Sequence, residues 1–270
     1  MKQKRKADMK TPIILCVLAA AFAIYAGTSM SEKDSMETSA AVTEAAEIET
    51  ETEIVTETET ETEDPLKDYP ESLVAFMEKY PEATQFVLDY PKYKDVHNEI
   101  DITGEVTKGE LPLFLQWDER WGYEIYGDDF LGVNGCGPTS LSMVQCGLTG
   151  DTKWNPYEVA KLADENGYYV SGVGSSWELM DTGARQMGLQ VFEVPFTAQG
   201  IVDTLQSGKL IICSMGPGEF TYSGHFVVLT GVDSDGRIFI NDSNSRERSA
   251  QTWDADYLLS QAVAMWAYDC

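Results

Sequence analysis

The stretch Gly135-Cys136-Gly137-Pro138-Thr139-Ser140 puts a cysteine where a loop ends and a helix begins. The flanking glycines let the backbone bend sharply and let a carbonyl approach the cysteine amide closely. Pro138 takes an early helical position, where a missing N–H costs nothing. The apolar periodicity that follows predicts a helix from about Gly137 to Cys146, with Leu141, Val144 and Gln145 turned inward. A helix N-terminus favours the thiolate form of a sulfur placed there. By itself this cysteine reads equally as a buried structural residue beside a tight turn.

Far along the chain, Gly224-His225-Phe226-Val227-Val228-Leu229 offers a histidine in a strand-like setting. A thiol needs a base to act as a nucleophile near neutral pH, and His225 is the candidate. His97, the rival, sits among Lys94, Asp95, Asn98 and Glu99 and reads as an exposed loop residue. A catalytic histidine also needs an acceptor that fixes its tautomer. Asp233-Ser234-Asp235-Gly236 predicts a hairpin turn that returns Ile238-Phe239-Ile240-Asn241-Asp242 beside the His225 strand. Period-two alternation puts Ile238, Ile240 and Asp242 on one face and Phe239 and Asn241 on the other, so Asp242 is favoured and Asn241 is the alternative. The Cys136 amide and the side chain of Gln116, in Gln116-Trp117-Asp118-Glu119-Arg120-Trp121, are candidate donors to an oxyanion.

The rest of the folded part follows from local signals. Asn155-Pro156-Tyr157-Glu158 is an N-cap, a first-turn proline and a capping-box acid, opening a helix that stops at Gly167. A third helix spans Ser176 to Met187. Strands are expected at Leu189 to Val194, Leu210 to Met215, His225 to Val232 and Arg237 to Asn241, with a helix at Ile201 to Gln206 between the first two. Helices first and sheet afterwards make an α+β domain. Upstream, Glu71 to Lys79 and Glu82 to Asp89 form a helical hairpin with one-sided apolar faces, either a cap on the main domain or an adaptor.

Composition limits the function classes. The formal net charge is −26, a field unsuited to nucleic acid or an anionic membrane surface. Lys2, Lys4, Arg5, Lys6 and Lys10 precede an uncharged run from Thr11 to Ser31, which reads as a signal peptide or a retained anchor. Cys16 within it follows Leu15 and is not a lipidation site. Glu32 to Asp64 carries thirteen acidic residues against Lys33 alone and reads as a disordered Thr/Glu-rich tether. Of the other cysteines, Cys146 and Cys213 sit in apolar runs as core residues, and Cys270 makes no regular spacing with them, so no disulfide framework is expected. Two histidines without metal-ligand spacing give no metal site, and no cofactor is called for.

Four motifs in order, Gln116-Trp117-Asp118-x-Arg120-Trp121, Gly135-Cys136-Gly137-Pro138-Thr139-Ser140, Gly224 to Gly231 and Asn241-Asp242-Ser243-Asn244-Ser245, resemble the papain-like cysteine peptidases, and more narrowly cysteine peptidase family thirty-nine, the leader peptidases of bacteriocin exporters, and its exported relatives. The resemblance spans roughly 111 to 268. It implies a nucleophile helix packed on an antiparallel sheet, with Cys136 as nucleophile, His225 as base, Asp242 as orienting acid and Gln116 as oxyanion donor. Leader peptidases carry the glutamine close before the cysteine, whereas twenty positions separate Gln116 from Cys136, and Phe130 holds the nearer place. The chain is thus expected to comprise a signal or anchor at 1–31, a linker at 32–64, the helical hairpin and connector at 65–110, and a peptidase domain at 111–270. Its expected function is extracytoplasmic hydrolysis of a peptide or isopeptide bond by a monomer that meets a membrane only through the N-terminal segment. The rivals are a peptidoglycan amidase or endopeptidase and a non-catalytic peptide-binding surface module. Trp177, Tyr222 and the Gly216-Pro217-Gly218 loop are candidates to line the groove.

Overall fold

The computed structural model describes residues 65–97 and 99–270. The expected signal or anchor segment, Cys16 and the acidic tether lie outside the described residues.

Six strands form one antiparallel sheet: β1 (Gln190–Glu193), β2 (Leu210–Met215), β3 (His225–Val232), β4 (Ile238–Asp242), β5 (Thr252–Trp253) and β6 (Ala262–Asp269). Their order is β1-β6-β2-β3-β4-β5, so β6 is inserted between two strands that precede it in the chain. The apolar runs of β2 and β3 are nearly unbroken because both faces are covered. Ile212, Phe226 and Val228 pack on one side, and Ile211, Cys213, Val227 and Leu229 on the other. The first side meets the helix Cys136–Thr149, which is backed in turn by Pro156–Glu165, and the second meets Ala198–Gln206, against which Ala255–Gln261 packs.

The cysteine helix, expected to bury one stripe, is buried all round from Gly137 to Gly147. It lies between the sheet and the 156–165 helix, so no solvent face remains. It ends at Gly150, and the next helix begins where Asn155 Oδ1 accepts from the amides of Tyr157 and Glu158. Expected as one α-helix, Ser176 to Met187 contains a π-helical turn at Leu179–Gly183 before Ala184–Gln186. In the β3–β4 turn Gly236 has φ 80° and Asp233 Oδ1 accepts from the amides of Asp235 and Arg237.

The N-terminal hairpin belongs to the same compact unit as the rest of the described chain. Its first helix is Glu71–Lys79, and its second half is a 3-10 turn, Pro81–Ala83, leading into Thr84–Leu88. Leu73, Phe76, Phe86 and Val87 bury against Leu115, Trp117 and Tyr123. Tyr123 stacks on Phe86 at 4.3 Å between ring centroids and donates its hydroxyl to the Phe86 carbonyl. The hairpin is therefore packed on the main domain rather than held apart as an adaptor.

Candidate active site

One cleft of about 760 Å³ is lined by Gln116, Cys136 and His225 among others, and Asp242 bonds to His225 from behind it. Cys136 is the first residue of its helix and half-buried. His225 is the first residue of β3, and Asp242 the last of β4. Ser140, one turn into the cysteine helix, donates its hydroxyl to the carbonyl of Phe226, which ties that helix to the residue beside His225. The glycines about Cys136 serve packing more than bending. Gly135 has φ −86°, open to any residue, but a Cβ there would run into the Leu131 carbonyl oxygen, and one on Gly137 into the Ser175 hydroxyl.

His225 Nε2 donates to Asp242 Oδ1 at 2.7 Å, and the two side chains are almost wholly removed from solvent. That bond leaves Nδ1 as the ring nitrogen free for the sulfur. Burial alone would push the His225 pKa down. The charge and hydrogen bond of Asp242, reinforced by a hydrogen bond and charge from Cys136, outweigh burial and raise it from 6.5 to about 10. Asp242 also accepts from Arg248 Nε at 2.6 Å and from the Asn244 amide at 2.8 Å. Burial would raise its pKa, but the charges and hydrogen bonds of His225 and Arg248 hold it below 3.8.

These shifts give stability a pH dependence with a definite sign. Because His225 is held above 6.5, its pairing contributes fully below pH 6.5 and is lost as pH rises toward about 10. Asp242, held below 3.8, contributes fully above that value and loses its contribution as pH falls through the lower folded-state value. The difference in urea midpoint between the native chain and His225→Gln is therefore expected to be large at pH 6 and to shrink steadily toward pH 10. A difference independent of pH would show that His225 is not held as a cation.

Gln116 is only 2% exposed, not a surface glutamine. Its Nε2 donates to the carbonyls of Gly132 and Val133 at 2.9 and 3.1 Å, and its Oε1 accepts from Ser243 Oγ. The twenty-residue separation from Cys136 is taken up by an excursion through the short strands Ile125–Tyr126 and Asp129–Phe130, which returns the chain to Gln116 just before Cys136. Phe130, at the nearer sequence position, packs with the hairpin aromatics instead. Asn241 points to the other face, where Nδ2 donates to the Pro112 carbonyl, so it stays apart from His225. His97 is exposed and bonded to Glu124. Trp177, Gly216 and Pro217 line the cleft. Tyr222 stands 82% exposed at its rim.

Sequence reasoning missed Arg248 and Tyr80 and gave Ser243 no role of its own. Ser243 lies in the motif that supplied Asp242 and donates to Gln116, whereas Arg248 and Tyr80 reach the site only through tertiary contacts. Tyr80, at the end of the first hairpin helix, lines the cleft; burial, then the charge on Cys136, pushes its pKa up to about 12. Among the described residues no group of His, Cys, Asp and Glu is arranged to hold a metal ion.

A sequence profile of the Peptidase_C39 like family matches residues 108–269. The chain belongs to that family. Membership makes it a cysteine peptidase with the papain-like fold. Among solved structures it is similar to the peptidase domain of Streptococcus ComA, a bifunctional ABC transporter of a quorum-sensing pathway, at 14% identity and TM-score 0.38, over 50% of this chain and 89% of that one. It is also similar to a C39-like peptidase from Bacillus anthracis, at 16% identity and TM-score 0.37, over 61% of this chain and 97% of that one. No match is found among curated proteins. The family match begins after the hairpin, so Tyr80 and its neighbours lie outside the matched residues.

Proposed function

We propose that the protein is an extracytoplasmic cysteine peptidase that hydrolyses a peptide or isopeptide bond through Cys136, His225 and Asp242. The observation that carries this reading is a half-buried sulfur and a buried imidazole on one cleft, with a fully buried carboxylate bonded to that imidazole behind it. The extracytoplasmic location rests on the basic head and uncharged run of the first thirty-one residues.

In the reaction the Cys136 thiolate attacks the scissile carbonyl carbon. The oxygen that gains charge accepts from the Cys136 amide, in the unpaired first turn of its helix, and from Gln116 Nε2, which exchanges a carbonyl partner for it. Collapse breaks the C–N bond, and the amine departs with a proton from His225. Water then attacks the thioester while His225 takes its proton, releasing the acid and regenerating the thiolate beside a protonated His225. Asp242, ionised and shared with Arg248, holds the imidazole in the required tautomer throughout.

The test is competition between a peptidyl aldehyde library and iodoacetamide for the thiols of the whole chain. Some library members are expected to protect Cys136, and only Cys136, from alkylation, and the corresponding peptides to be cleaved. Protection by no member, or by all members at every accessible thiol, would overturn the proposal.

A further inference from the structure

The first helix of the hairpin runs along the cleft. Ser72, Ala75, Phe76, Lys79 and Tyr80 all line it, and their spacing is that of one helical face. From Ser72 to Lys79 this face extends roughly 10 Å at 1.5 Å per residue, long enough to run beside several residues of an extended peptide. The helix is pinned at both ends. Ser72 Oγ donates to Asp129 Oδ1 at 2.9 Å, and just past the other end Glu82 accepts from the Ser245 hydroxyl and, at 2.8 Å, from the Arg246 amide, in the turn that follows Asp242.

Among the described residues Lys79 is the sole lysine or arginine lining the cleft, in a chain of net charge −26. It forms no ion pair among the described residues. Its ammonium sits 5.2 Å from the Tyr80 ring centroid and 5.4 Å from that of Tyr222, so two aromatic faces hold the cation beside the cleft. The carboxylates that share the cleft are turned to other partners: Asp128 accepts from the Tyr169 and Ser171 hydroxyls and Asp129 from Ser72, while Glu82, Glu219 and Glu247 border a neighbouring pocket that Lys79 also lines.

We propose that this helix is a wall of the substrate cleft and that Lys79 selects peptides carrying a carboxylate near the scissile bond. The proposal rests on the peptidase reading and deepens it. The wall lies outside the family-matched residues 108–269, so specificity is set by a segment that the C39-like domain alone does not supply.

Two variants of the full chain test it. Ala75 is exposed, so Ala75→Trp narrows the cleft without disturbing the core. It is expected to lower kcat/KM for peptides about tenfold or more while iodoacetamide still alkylates Cys136 at the native rate. Lys79→Glu is expected to shift the preference between peptides differing only by Glu or Lys beside the scissile bond about tenfold toward Lys. An unchanged preference in Lys79→Glu, or unchanged peptide turnover in Ala75→Trp, would overturn the proposal. So would acceleration on all peptides, which would make the helix an inhibitory segment. If the native chain cleaves no peptide, the peptidase reading fails separately. Alkylation of Cys136 by peptidyl chloromethyl ketones, with the same variants and the same expected ratios, then still decides whether the helix is a wall.

Discussion

Cys136→Ala is expected to lower peptide hydrolysis on the order of 10⁴-fold or more, because removal of a nucleophile eliminates the covalent route and leaves only binding and oxyanion stabilisation. The fold should survive. Cys136 is half-buried at a helix start, and the substitution keeps Cβ while deleting one sulfur, so stability should change by less than about 1 kcal/mol. His225 keeps its bond to Asp242 in the variant and loses only the smaller contribution of the sulfur. Thermal unfolding and peptide turnover measured on one preparation check both halves. An alanine variant with native activity would remove Cys136 from the mechanism, whereas one that unfolds would show the sulfur to be structural.

Asp242→Ala should damage stability as well as turnover. The carboxylate is 0% exposed and accepts from His225, Arg248 and the Asn244 amide. Deleting it leaves an imidazolium and a guanidinium facing each other without the anion between them, at a cost of about 3–5 kcal/mol. Loss of the tautomer lock should lower kcat by on the order of 10³–10⁴-fold. Asp242→Asn restores the volume and one acceptor oxygen but no charge, so it should recover part of the stability and less of the rate. Urea midpoints and kcat for the pair provide the check. An alanine variant within 1 kcal/mol of the native chain and fully active would make the carboxylate a spectator.

The cysteine, the histidine and the acid were legible because each lies in a local setting with its own signal: a glycine-flanked helix start, a strand opening, and a strand end after a turn. Alternation separated Asp242 from Asn241, since neighbouring strand residues face opposite ways. Strands β2 and β3 were legible as apolar runs, and their bounds agree with the structure. The π turn at Leu179–Gly183 and the strand Ala262–Asp269 were not. That strand is rich in alanine, and its place in the sheet depends on partners over forty residues away. Arg248 and Tyr80 escaped for a related reason: nothing beside them in sequence marks a partner, and each reaches the site because a separate element docks there. The glycines beside Cys136 show a subtler miss. The residues were right, but what excludes a side chain is the preceding helical turn and Ser175 rather than an unusual backbone angle.

The insertion of β6 between β1 and β2 has a consequence for biogenesis. Until residues 262–269 have been synthesised, Leu210–Met215 presents an unpaired apolar edge, and the layer that carries His225 and Asp242 is open on that flank. A chain truncated before residue 262 would thus expose that edge to pairing with other chains and be prone to aggregate, so the sheet closes only with the last strand.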